Sequence, residues 1–242
     1  MTYPGFDPIA RAYDLLINEE RRWQRERPLL QAWLETAGEG KKRLLDLGCG
    51  TGFHARYLSR FCAAQVVAVD PSEQMLAAAA AKPGGDTVQW VKGQAEQPAV
   101  DGPFDLLLLL GNTLSLIENV QPVFRAAAGV AAPGAVFIIQ VLDYSVLRNK
   151  GEQAVTRSDE EVVIRKTLTP LNGAADEGAL LVLQVEDLKG NVLGSTREIL
   201  RDHAEADIVR AAEESGWSVI EKRSSYEEAD RGGDRIFLFR KD

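Results

Sequence analysis

The sequence predicts an α/β fold: a doubly wound, Rossmann-like sheet with a C-terminal antiparallel hairpin and an inserted antiparallel β lid. Three observations carry that prediction. Between Arg43 and Leu142, short apolar or β-branched runs alternate with helix-length stretches, the rhythm of a parallel sheet wrapped by helices. The runs "FDLLLLLG" and "AVFIIQVL" are apolar throughout, as strands covered on both faces are. From Leu142 to His203 the helical period disappears, and extended runs separated by turn residues replace it. That is the pattern of an antiparallel sheet.

Each element follows in order. Ile9, Tyr13, Leu16 and Ile17 recur at helical spacing among charges, so two amphipathic helices are expected between Ile9 and about Ala37, with Pro28 at a helix start. "KKRLLDLG" is the first strand and "FHARYLSRF" the helix behind it. "AQVVAVD" is the second strand, "SEQMLAAAAAK" a helix capped by Ser72, and "TVQWVKG" the third strand. "VQPVFRAAAGVAAPG" supplies a helix closed by Pro-Gly between the fourth and fifth strands. "EEVVIRKTLTP", "GALLVLQVEDLKG" and "NVLGSTREILR" form the lid, and "HAEADIVRAAEESG" returns to helix. "WSVIEKRSS" and "RIFLFRK" then pair as a hairpin at the sheet edge. The expected organisation is an N-terminal helical cap over 1–40, a binding core over 41–150, the lid over 151–201 and the returning core over 202–242.

A chain of 242 residues, 45% hydrophobic and 26% charged, can bury one substantial core. Its net charge of −8 at pH 7 argues against a surface that tracks phosphates, so nucleic acid is not an expected partner. Cys49 and Cys62 sit in no disulfide or metal spacing and read as buried thiols in a reducing compartment. The N-terminal stretch lacks the basic-then-apolar order of a signal peptide, and no apolar run approaches membrane-spanning length. A cytoplasmic protein with no membrane contact is expected; a homodimer is left open.

The segment "RLLDLGCGTG" joins the first strand to its helix. Glycines there permit positive φ and let backbone amides approach a ligand at the carboxyl end of the strand, where α/β sheets bind. Asp46 ends this strand and Asp70 ends the second, where an acid accepts hydrogen bonds from ribose hydroxyls. Asp46 would repel a pyrophosphate and attract an ammonium. The pair therefore favours S-adenosylmethionine over a nicotinamide dinucleotide.

"LLDLGCGTG", "VVAVDPSEQML", "VKGQAEQPAV", "PFDLLLLLG" and "AAPGAVFII", in this order, closely resemble the class I S-adenosylmethionine-dependent methyltransferases. The resemblance implies an enzyme with S-adenosyl-L-methionine as cofactor. It assigns Asp46, Gly48, Cys49, Gly50 and Gly52 to the methionine part, and Asp70 with Pro71 to the ribose. Met75, Gln94 and Ala95 would lie near the adenine, and Leu110 with Gly111 after the fourth strand. Gln94 stands where the family usually has Asp; its amide offers both donor and acceptor. "LLLLLGNTLSLIENV" and "QVLDYSVLRNKGE" further resemble glycine N-methyltransferase and related small-molecule enzymes. That likeness implies N-terminal helices closing over the cofactor, with Tyr13, Trp23 and Arg25 or Arg27 as lining candidates; helix packing is the alternative for Tyr13 and Trp23. The arginine that grips the substrate carboxylate in glycine N-methyltransferase falls on Leu142, so glycine is not the expected substrate.

Methyl transfer is an in-line displacement in which positioning supplies most of the catalysis. The expected reaction is transfer to nitrogen or oxygen of a small molecule, the alternative being a noncatalytic S-adenosylmethionine-binding protein that uses its lid for interaction. Tyr144 is the expected aromatic stabiliser of a cation, and Asn112, with Thr113, the expected group at the methyl position. His203 is the titratable candidate, whereas His54 is expected to pack beside the loop. Asp143 either meets substrate or caps the next segment. "GNTLSL" lacks the convergent acids of a metal-dependent site, so no metal is expected.

Overall fold

The computed structural model describes residues 5–36, 42–61, 65–171, 177–227 and 232–242. Five parallel strands form its centre: β1 (Arg43–Leu47), β2 (Gln65–Asp70), β3 (Val88–Lys92), β4 (Phe104–Leu109) and β5 (Ala131–Leu142). Four further strands, β6 (Gln153–Ser158), β7 (Val162–Pro170), β8 (Glu177–Asp187) and β9 (Val192–Arg201), make a separate antiparallel sheet. The chain then returns through β10 (Trp217–Arg223) and β11 (Asp234–Lys241), an antiparallel hairpin whose β11 pairs with β5. The main sheet thus runs β10-β11-β5-β4-β1-β2-β3, the expected architecture. Its order reverses between β1 and β4, and ligands of such sheets bind at the carboxyl ends beside that point.

Strand alternation divides the core in two. Leu45, Leu47, Leu107 and Leu109 face α4 (Val120–Val130) and α6 (Glu205–Glu213), while Leu44, Val66, Leu106 and Leu108 face α1 (Glu19–Thr36) and α2 (Phe53–Phe61). Ser72 caps α3 (Glu73–Ala80), accepting from the Met75 amide at 3.0 Å. Among the described residues, no helix is long and apolar enough to cross a membrane.

Several details differ from expectation, among them a short helix at Tyr144–Lys150 in the stretch after Leu142 where no helical period was expected. The segment before α1 forms two short 3-10 turns, Asp7–Ile9 and Tyr13–Leu16, rather than a first amphipathic helix. Asn18 explains the break, because its side chain accepts from the Arg21 amide at 2.9 Å and so starts α1. Pro28 lies inside α1, not at its start; Trp23, Leu30 and Trp33, all buried against the sheet, hold the helix through the lost hydrogen bond. α4 ends at Val130, so Pro133 and Gly134 belong to the start of β5. The lid has four strands, since β6 precedes the three expected runs. Cys49 is half-buried, and Cys62 lies outside the described residues.

The two 3-10 turns are clamped between the lid and the core. Ile9, Ala10 and Ala12 share one apolar cluster with Met75 of α3, Tyr144 of α5 (Tyr144–Lys150) and the inward residues of β7 and β8. On β9, a β-carbon at Gly194 would collide with the Pro8 carbonyl. Gly194→Val is therefore expected to detach the turns, lowering the melting temperature and speeding proteolytic cleavage near Phe6. Wild-type cleavage rates in that variant would show that the turns do not depend on this contact.

Candidate active site

Asp46 arrives at the sheet's centre through its register with Ala68 of β2 and Leu108 of β4. It is 2% exposed, its carboxylate accepts from the Ala55 amide, and its Oδ2 atom has no partner among the described residues. Burial pushes its pKa up to about 7, with the neighbouring Asp70 charge adding to the shift. A buried oxygen left unpaired in a native fold points to a ligand donor.

The glycine loop beside it divides into packing and open positions. β-Carbons at Gly48 and Gly52 would strike Thr113 and Trp90 respectively, whereas at Gly50, with φ of +54°, nothing lies within 4 Å. Gly50 is therefore the loop's open face. Asp70 shapes this loop, because its Oδ2 accepts from the Gly50 amide at 2.8 Å and its Oδ1 from the Ser72 amide at 2.9 Å. Burial raises the Asp70 pKa.

The N-terminal turns are tied down onto the same edge. Thr51 donates its hydroxyl to Asp14 at 2.6 Å, Lys82 pairs with Asp14, and Asp7 accepts from the Gln74 amide and the Ser72 hydroxyl. Tyr13 is half-buried near Arg22 and Asp70, its phenol pKa raised by burial. Arg22 of α1 reaches over the Phe53 ring, 4.8 Å from its centroid, to within 3.9 Å of the β-carbon position of Gly111. Its Nε donates to Glu26 at 2.8 Å, and His54 donates its Nε2 proton to the same carboxylate at 2.8 Å. Burial alone would raise the Glu26 pKa; the His54 hydrogen bond and the Arg22 charge overcome it and hold it at about 2.

Past β4, Asn112 takes a left-handed conformation, φ +67°. Its Nδ2 donates to the Tyr144 hydroxyl at 3.0 Å, its Oδ1 accepts from the Leu142 amide at 2.8 Å and the Ser115 hydroxyl at 2.9 Å, and its amide donates to Gln140 at 3.0 Å. Asn112 and Tyr144 thus form one locked unit rather than two free side chains. His203 donates its Nε2 proton to the Ile117 carbonyl at 2.9 Å, and burial lowers its pKa. Its ring tethers the segment after β4 through this nitrogen.

Trp23, Arg25, Arg27 and Asp143 have packing or capping partners. Trp23 stacks with Phe61 and tilts against Tyr57, ring centroids 5.4 and 4.9 Å apart, so it packs α1 onto α2 instead of lining the site. Arg25 pairs with Glu26 over the Tyr226 ring, and Arg27 binds Gln31 at the surface; the α1 arginine that reaches Gly111 is Arg22, which sequence reasoning missed. Asp143 caps α5, accepting from the Ser145 amide at 2.9 Å. Met75 and Ala95 are buried at the β2 and β3 ends, with Gln94 and Pro71 exposed beside them, and Leu110 is buried next to Gly111. Cys49 lies in the loop, its sulfur in a long contact with the Gly50 carbonyl and packed against the α1–α2 cluster, and burial pushes its thiol pKa well up.

Residues 45–139 match the family described as Methyltransferase domain. The ubiquinone biosynthesis O-methyltransferase of Azorhizobium caulinodans is 30% identical over 178 residues, 69% of this chain and 68% of its own length. The chain belongs to the class I S-adenosylmethionine-dependent methyltransferases. The corresponding protein of Caulobacter sp. (strain K31) is 32% identical over 172 residues, 66% of this chain and 65% of its own. The chain thus spans about two thirds of the length of these relatives. A solved S-adenosylmethionine-dependent methyltransferase from Clostridium acetobutylicum shares the fold, with a TM-score of 0.74 at 19% identity over 98% of both chains.

Proposed function

We propose that this chain binds S-adenosylmethionine at the carboxyl ends of β1, β2 and β4 and methylates nitrogen or oxygen of a small molecule beneath the lid. One observation carries the reading: the unpartnered Asp46 oxygen beside the open face at Gly50, which a ligand ammonium completes. Asp46 holds that ammonium, and Arg22 holds the carboxylate of the same amino-acid head. Asp70 holds the ribose, since each of its oxygens keeps a lone pair beyond the amide it already accepts. Met75, Gln94 and Ala95 flank the adenine.

When bound, S-adenosylmethionine supplies an activated methyl group. The chain's own work is to orient the acceptor and exclude water. Asn112 and Tyr144, locked to each other and to β5, act as positioning residues that keep the floor of the site rigid. The reading assigns the transfer no dedicated general base, the Nε2 protons of His203 and His54 being held by the Ile117 carbonyl and by Glu26. This suits an amine or an already acidic oxygen acceptor, and the O-methyltransferase relatives support the oxygen case. The reading keeps a cytoplasmic location and small-molecule rather than nucleic-acid partners, in line with the net charge of −8.

Calorimetry with S-adenosylhomocysteine is the test. Binding at micromolar concentration is expected, and folded protein giving no heat with either it or S-adenosylmethionine overturns the reading. Asp70→Ala is expected to raise the dissociation constant about tenfold to a hundredfold, the loss of a hydrogen bond to a charged group. An unchanged constant would remove Asp70 from the ribose. Transfer of a labelled methyl group into a metabolite pool separates the enzyme from a noncatalytic binding protein.

A further inference from the structure

The inward row of β7 is apolar except at one position. Val162, Ile164 and Leu168 are 3%, 0% and 7% exposed and belong to the cluster that packs against the N-terminal turns and Tyr144. The two-residue period of a strand puts Lys166 in the same row. Its register partner on β8 is Leu183, itself 1% exposed in that cluster. An ammonium therefore interrupts the lid's apolar inner face.

Among the described residues, the Lys166 ammonium has no hydrogen bond and no ion pair. The charge that bears on it is Arg22, a like charge, which together with burial lowers its pKa. Arg22 itself is balanced by Glu26 and reaches Gly111 at the end of β4, and Tyr144, in the cluster this row packs against, is bonded to Asn112 beside Gly111, so Lys166 lies on the lid face turned toward that end of the sheet. A half-buried ammonium without a counter-ion is costly, and leucine or methionine would suit the row better. The amino-acid head of the cofactor does not account for it: one ammonium and one carboxylate are matched by Asp46 and Arg22.

We propose that Lys166 receives a carboxylate on the acceptor, so that the small molecule methylated here is an organic acid. The inference rests on the methyltransferase reading given above. A single ammonium in an apolar surround fits a monoanion. A phosphate dianion would call for more donors than this row supplies.

The test uses full-length protein saturated with S-adenosylhomocysteine, with benzoate and phenylacetate as probes and their uncharged amides as controls. Wild type is expected to bind the carboxylates at least about tenfold more tightly than the amides. Lys166→Met should abolish that preference while leaving S-adenosylhomocysteine affinity unchanged and melting at or above wild type. Lys166→Arg should retain the preference. No carboxylate preference in wild type, with S-adenosylhomocysteine bound normally, overturns this inference alone. Failure of wild type to bind S-adenosylhomocysteine sinks the cofactor reading and this inference with it. A Lys166→Met variant that melts lower and keeps the preference makes the lysine a structural residue. One that loses S-adenosylhomocysteine affinity assigns the lysine to the cofactor; either result rejects the proposal.

Discussion

Asp46→Asn is expected to weaken S-adenosylhomocysteine binding about a hundredfold while raising the melting temperature. Both effects come from one buried carboxylate. Its pKa is about 7 in the folded chain, raised first by burial and then by Asp70, against roughly 4 when unfolded. The folded state therefore holds the proton more tightly between those values, and stability falls as pH rises from about 4 through about 7. By about pH 8 the loss amounts to roughly 4 kcal/mol, which an uncharged amide, still able to accept from Ala55, avoids. Binding has the opposite requirement, since only the ionised form attracts an ammonium. Wild-type affinity should climb about tenfold per pH unit on approach to 7 and level off above it, as Asp46 becomes fully ionised. The variant should lack the acid limb. Calorimetric titrations across that range, with a melt at each pH, check both; a variant that binds like wild type would mean that Asp46 does not meet the ammonium.

How much of this site could be read from the chain depends on how local each signal is. The strands and the glycine loop are legible because apolar runs, glycines and terminal acids lie within a few residues of one another, and "RLLDLGCGTG" carries strand, turn and acid together. The N-terminal turns were less so. Ile9 and Tyr13 stand four residues apart, which mimics a helix, yet both are placed by the lid above them. Arg22 illustrates a different limit: once Trp23 is committed to Tyr57 and Phe61, the neighbouring helix face, carrying Arg22 and Glu26, is turned toward the loop. The i,i+4 spacing of those two residues was the available signal. Which face they occupied was a tertiary fact.

The polar candidates past β4 were found by position but not by state. Asn112, Tyr144 and His203 follow β4 and β5 and the lid as read, and the sequence does not show that Asn112 and Tyr144 bond to each other and that His203 bonds to a main-chain carbonyl. Lys166 is the converse case, for the alternation of Val162, Ile164, Lys166 and Leu168 already marks a charge on an apolar face. Knowing that this face is turned inward required the register with Leu183. Gly178, whose β-carbon would run into the Tyr144 ring, likewise gains its reason only from the packing of β8 on α5.

Glu26→Ala is expected to produce the largest loss of stability of any single change considered. The side chain has no exposed surface and accepts from Arg22 at 2.8 Å, His54 at 2.8 Å and Arg25 at 3.1 Å. Removing it strands a guanidinium and an imidazole between α1 and α2, and breaking a buried pair from one side costs about 3–5 kcal/mol. In a chain of this length that corresponds to a fall of roughly 2–4 °C in melting temperature per kcal/mol. The pH dependence has the sign opposite to that of Asp46. A folded pKa of about 2 against the ordinary 4.5 means that this contribution is complete above about 4.5 and is lost as pH falls toward 2, roughly 3 kcal/mol in all. Melts of wild type should steepen across that acid window, and those of Glu26→Ala should not. Glu26→Gln, which keeps the volume and can still accept from His54, should fall between the two. Cofactor affinity gives the second readout: Arg22, no longer anchored over Phe53, should hold a ligand carboxylate about tenfold less well. A Glu26→Ala protein that melts with wild type and binds S-adenosylhomocysteine with the same constant would show that α1 is held to the core by its tryptophans and leucines alone, and that Arg22 needs no partner to do its work.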